Sequence, residues 1–170
     1  MQTSLTQEEQ KLITYAKEVI VKHNTERHAK GEIDTLYSFV LSDSGKIFEG
    51  AAFEVDDLEH ASICAERQAI ANMVLAETYK AKIKSIVVAD PVPELQKNGT
   101  TPCGTCRSVI WEFGTPDTTV LSIQYIQREK NSARPKIEKH TWDFLSIEKH
   151  TIKELYPEAF EPVEWGGPKK

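Results

Sequence analysis

Ile63-Cys64-Ala65-Glu66-Arg67-Gln68-Ala69-Ile70 and, downstream, Thr101-Pro102-Cys103-Gly104-Thr105-Cys106-Arg107-Ser108-Val109-Ile110 hold all three cysteines of the 170-residue chain. A thiol and a carboxylate two residues apart, joined later by Pro-Cys-x-x-Cys, supply both parts of a hydrolytic metal site. Three thiolates can hold Zn²⁺ and leave its fourth position to water, while a neighbouring carboxylate moves protons. Two other readings stand beside this one. Cys103 and Cys106 can form a redox pair with Cys64 a buried thiol, or one of His23, His28, His60, His140 and His150 can close a structural zinc site. The odd cysteine count and the lack of an apolar N-terminal segment argue against a secreted disulfide framework.

Outward from the first motif, residues Ser62 to Glu77 read as a helix. Ser62 is placed to cap it, the interior is rich in Ala and free of Gly and Pro, and Ile63, Ile70 and Val74 recur at helical spacing. Pro102 suits the opening of a second helix through Arg107, Val109, Ile110 and Phe113, which Gly114 and Pro116 close. Both cysteine groups then lie at helix N-termini, where the dipole and free N–H groups favour thiolates. Around them the pattern gives a first helix from Gln7 to about His28 and two strands, Thr35–Leu41 and Lys46–Val55, turned by Ser42-Asp43-Ser44-Gly45. Two further strands follow at Ile83–Ala89 and Thr118–Ile126, and Gln127–Ile137 reads as a charged loop. Strands alternating with helices predict an α/β fold, a mixed sheet with helices on its faces, and both cysteine-bearing helix starts near one edge of the sheet.

The composition fits a single domain over residues 1–170, with 161–170 a surface extension. A net charge of −5 with scattered basic residues gives no footprint for a nucleic-acid backbone. No stretch approaches the roughly 18 apolar residues that cross a bilayer. A cytoplasmic enzyme is the expectation.

At these residues the chain resembles the cytidine deaminase family in its small three-cysteine zinc form, with blasticidin S deaminases as relatives. The two cysteine stretches carry the likeness, supported by Gly45-Lys46-Ile47-Phe48-Glu49-Gly50 and by Thr151-Ile152-Lys153-Glu154-Leu155-Tyr156-Pro157-Glu158-Ala159-Phe160, similar to the Leu-Pro-x-x-Phe ending of the family. The resemblance implies a three-layer αβα sandwich around a mixed five-stranded sheet, one zinc per chain held by Cys64, Cys103 and Cys106, and Glu66 as the catalytic proton carrier. It implies hydrolytic deamination of cytidine or deoxycytidine in pyrimidine salvage, and a homotetramer, with a homodimer as the alternative. Arg67 matches the family arginine that offsets the charge of the thiolates, and Arg107 is a candidate to share that role. The apolar Phe144, Leu155, Tyr156, Phe160 and Trp165 are candidates for subunit contact.

The substrate side departs from the pattern. The family's ribose-binding Asn-x-Glu is here Ala52-Phe53-Glu54, and nine residues separate Glu54 from Cys64, one more than usual. Glu54 is the remaining candidate for a sugar contact, and the loop from Asp90 to Thr101 is long enough to reshape the mouth. These departures keep a second substrate class open: a modified cytosine nucleoside, a blasticidin-type antibiotic or another aminated heterocycle.

Overall fold

A computed structural model of the chain describes residues 4–55, 61–92, 99–128 and 141–159. Helix α1 (Gln7–Ala29) is started by a capping box, in which Thr6 and Glu9 satisfy each other's backbone N–H groups. Its apolar stripe, Leu12, Ile13, Ala16 and Ile20, is buried as the spacing predicts. The hairpin of β1 (Tyr37–Ser42) and β2 (Ile47–Ala51) turns at Gly45, whose φ of +86° a side chain would strain. There follow α2 (Ala65–Glu77), β3 (Ile83–Pro91), α3 (Gly104–Phe113), β4 (Thr119–Arg128), β5 (Thr141–Thr151) and the short α4 (Ile152–Leu155).

The five strands stand in the order β2-β1-β3-β4-β5. Only β3 and β4 pair in parallel; the other neighbours are antiparallel. It follows that β2, β3 and β4 run the same way and finish at one end of the sheet. On one face α1 packs against Tyr37, Phe39, Val87, Leu121, Ile123 and Tyr125. On the other, Ala69, Ile70 and Met73 of α2 and Ile110 of α3 pack against Val40, Ile86 and Val120. This is the expected three-layer sandwich, and it explains why all six residues of β1 are buried: a strand covered on both faces has no solvent side.

Several boundaries differ from the sequence reading. The second strand stops at Ala51 rather than Val55, because the chain leaves the ladder and pairs Phe53 with Ile63 instead. That bridge keeps the backbone extended through Cys64, so α2 starts at Ala65 with Cys64, not Ser62, as its N-cap. Ser62 turns its hydroxyl to Val55 N at 3.0 Å. Helix α3 likewise begins one residue beyond Cys103, its N-cap, and leaves Pro102 outside. Gln127 and Arg128 belong to β4 and not to a loop; 129–140 lie outside the described residues. The fifth strand was not located by pattern. It carries Asp143, Glu148, Lys149 and His150 on an edge strand, which hides the alternation that marks a half-buried one.

Candidate metal centre and active site

Helix α2 begins just past the end of β2, and α3 begins past the end of β3. Because these strands finish at the same end of the sheet, the two helix N-termini meet there. Gly50 brings them close on the α2 side: a Cβ at this position would lie 2.2 Å from Ala65 O and 2.5 Å from Ala69 N. The first turn of α2 therefore rests directly on the β2 backbone. This requirement had no signal in the sequence beyond a glycine within the hairpin stretch.

The convergence gathers the three thiols. Cys64 Sγ and Cys103 Sγ are 3.9 Å apart, and all three sulfurs lie within 4.8 Å of one another. Thiolates at about 2.3 Å from a tetrahedral zinc stand roughly 3.8 Å from each other, so the cluster fits that ion. The three are free thiols, with Cys106 buried, Cys64 half-buried and Cys103 exposed, which leaves one side open. Among the described residues no fourth cysteine or histidine joins the group. His23 pairs with Glu49, His28 with Asp34 and His150 with Glu148. His60 and His140 lie outside the described residues.

The electrostatics are those of crowded anions. Burial, the Glu66 carboxylate and the other two sulfurs push the Cys106 thiol far up. Burial acts on Cys103 in the same direction, but bonds from the Cys106 backbone and from the Cys106 and Cys64 thiols outweigh it and hold Cys103 below the ordinary thiol value. A divalent cation reverses such a penalty, because it favours all three thiolates at once. Glu66, in the first turn of α2 and 3% exposed, is held above the ordinary carboxylate value by burial, against lowering contacts from the backbone, the Cys106 thiol and Arg67.

Arg67 sits beside the same sulfurs. Burial lowers its pKa, but Cys64 and Cys106 outweigh that and raise it. Its Nη2 donates to Ser62 O at 3.0 Å, while its buried Nε has no hydrogen-bond partner. Arg107 is placed otherwise. Its three nitrogens donate to Pro102 O, Thr101 Oγ1 and Leu155 O, and none of these acceptors is a sulfur. Glu54 is exposed, one residue beyond the Phe53–Ile63 bridge. The antiparallel register sets Ala52 level with Cys64 and Glu54 level with Ser62, on the side of the strand opposite Phe53 and Ile63. Phe144, Leu155 and Tyr156, candidates for subunit contact, are half-buried against the chain's own two cores; Phe160 and Trp165 lie outside the described residues.

A family model described as the cytidine and deoxycytidylate deaminase zinc-binding region matches residues 7–122, more than half of the chain and both cysteine motifs. The chain belongs to this family. A cytidine deaminase of Mycoplasma pneumoniae is 37% identical over 90 residues, covering 51% of this chain and 65% of that protein. A Dictyostelium discoideum protein named "Probable cytidine deaminase" is 43% identical over 75 residues, 44% of this chain and 47% of its own length. The chain thus aligns with about half to two thirds of these curated relatives. In fold it is similar to the cytidine deaminase of Burkholderia pseudomallei, with a TM-score of 0.58 at 20% identity, covering 86% of this chain and 98% of that one.

Proposed function

We propose that this chain hydrolytically deaminates a cytosine nucleoside, cytidine or deoxycytidine, with release of ammonia. The observation that carries the reading is the meeting of three sulfurs and a buried carboxylate at two helix N-termini. Cys64, Cys103 and Cys106 would hold zinc, which when bound would lower the pKa of a water from about 15.7 toward 7. Glu66 takes a proton from the attacking water as its oxygen forms the bond to C4, and delivers that proton to N3 of the ring. It then carries the hydroxyl proton to the exocyclic amine, the C4–N bond breaks, and ammonia leaves. The buried place of Glu66 beside the Cys106 thiol suits this double duty, since one group must reach the water and the ring in turn as base and then as acid. Arg67 offsets the excess charge of three thiolates on a divalent ion.

Glu54 is the candidate for the sugar hydroxyls, and its place on the same face of the strand pair as Cys64, level with Ser62, supports that. The alanine at position 52 favours a second reading, in which a modified cytosine nucleoside or another aminated heterocycle is the substrate. An absent amide partner costs on the order of 1–3 kcal/mol of recognition. We propose a cytoplasmic enzyme of pyrimidine salvage; no helix among the described residues is long and apolar enough to cross a membrane. We also propose a homotetramer, or failing that a homodimer. Phe53 and Ile63, 54% and 40% exposed beside Cys64, are one apolar pair open to subunit contact.

The deciding experiment combines metal analysis with ammonia release on cytidine, deoxycytidine, cytosine and blasticidin S. About one zinc per chain, lost in Cys103→Ala, and turnover of the first two compounds are expected. Protein purified without zinc overturns the reading. Turnover of blasticidin S alone selects the second substrate class, and a 19.2 kDa monomer by light scattering removes the assembly.

A further inference from the structure

The peptide from Gly99 to Cys103 enters α3 with no strand partner, and side chains from elsewhere anchor it. Thr100 Oγ1 donates to Asp90 Oδ2, and Ser122 Oγ donates to Thr100 O at 2.7 Å. Closer to the sulfur, Arg107 takes over. Its Nε donates to Pro102 O at 2.7 Å and its Nη2 to Thr101 Oγ1 at 2.9 Å, so one guanidinium grips the two residues immediately before Cys103. Its third nitrogen, Nη1, reaches Leu155 O at 2.8 Å, 48 positions along the chain at the end of α4.

That far end is itself fixed. Thr151 and Glu154 form a capping box, Ile152 N donates to Thr118 O at 2.9 Å, Lys153 N donates to Pro116 O at 3.2 Å, and the Ile152 side chain is fully buried. Cys103, by contrast, is exposed, and its sulfur meets the two neighbouring thiols and the Cys106 backbone. Its sulfur depends on the backbone that carries it.

We infer that Arg107 is a positioning residue for the Cys103 sulfur, tying the loop ahead of it to the end of α4 as a brace. This rests on reading the three sulfurs as zinc ligands. Three acceptors in fixed directions need a planar fork of donors, which arginine has and lysine lacks. It differs from the expected donation to sulfur, and it makes the C-terminal helix part of the support of the metal loop.

The test uses the purified full chain and the variants Arg107→Met, Arg107→Lys and Thr101→Val. Zinc affinity is measured by chelator competition, thiolate geometry by the absorption bands of the Co²⁺-substituted protein, and loop order by hydrogen exchange at the amides of Gly104 to Arg107. Arg107→Met should bind zinc about 10–100-fold more weakly, as losing a supporting partner of a ligand commonly does. Its Co²⁺ bands should shift and the amides should exchange faster. Arg107→Lys should recover only part of this, and Thr101→Val should lose several-fold. Zinc affinity and Co²⁺ bands unchanged in Arg107→Met, or full recovery in Arg107→Lys, overturn the brace. If Arg107→Met does not fold, Arg107→Lys and Thr101→Val decide by the same measurements, unchanged values in both overturning it. A wild-type chain that takes up no zinc defeats the zinc reading instead, and exchange rates then judge the brace: no acceleration in any variant overturns it.

Discussion

Glu66 and Glu54 are both carboxylates close to Cys64 in the chain, and their surroundings separate their chemistry. Glu66 is buried against a thiol and held above the ordinary carboxylate pKa by burial, whereas Glu54 is exposed at a strand end. Glu66→Gln keeps nearly the same volume and leaves the sulfurs intact. Turnover should fall by about 10²–10⁴-fold, the usual loss on removing general acid–base catalysis, while zinc content and thermal unfolding stay near wild type. Near-normal turnover with zinc retained would refute the role. Glu54→Gln should instead raise KM with kcat little changed, because uniform binding is what a sugar contact provides. The grouping of the three thiols with Glu66 was legible in the sequence, because residue type and spacing are read directly from it. The partners of Arg107 were not, since two of its acceptors are backbone carbonyls, which any residue type supplies.

At the scale of elements, the seating of α2 on the hairpin places the site. Gly50→Ala puts a methyl against backbone atoms that have no rotamer to yield. It should cost at least the roughly 1–3 kcal/mol of ordinary overpacking and displace Cys64 with the helix. Chemical denaturation together with zinc content checks this; a variant with wild-type stability and zinc would show that the helix can lift away freely. The same helix covers the edge of the sheet. Gln68 Oε1 accepts from Ala51 N at 2.7 Å, and Asn72 Nδ2 donates to Glu49 O at 2.9 Å, so side-chain amides occupy backbone groups of the edge strand β2. Open strand edges recruit other strands. The double variant Gln68→Ala, Asn72→Ala should lose about 1 kcal/mol per hydrogen bond and scatter more light on heating. Unchanged scattering would mean that the edge is guarded by other means.

Across the whole molecule, α1 is tied to the opposite edge strand by Lys149 Nζ, 2.9 Å from the buried Glu9 carboxylate. Burial raises the Glu9 pKa, but bonds from Lys149, the Thr6 backbone and Thr119 together hold it below the ordinary value of 4.5. A carboxylate with a depressed folded pKa stabilises the fold above its unfolded pKa, and that contribution fades as pH falls through the folded one. Urea unfolding should therefore weaken progressively below about pH 4.5 through this pair. Glu9→Gln should cost about 1–3 kcal/mol at pH 7 and flatten part of the acid limb. An acid limb identical in wild type and variant would show that other carboxylates carry it.

The sequence by itself determined the three thiols and the carboxylate beside them, the buried stripe of α1 and the alternation of strands and helices, because spacing and side-chain chemistry are local properties. Only the tertiary structure decided where α2 starts, since the Phe53–Ile63 bridge overrides the capping preference of Ser62. It alone located the fifth strand, whose polar residues fit an edge and no simple period. It also set what Arg107 holds, and why position 50 has no room for a side chain. Each of these depends on pairing between segments distant in the chain, which local propensity does not encode.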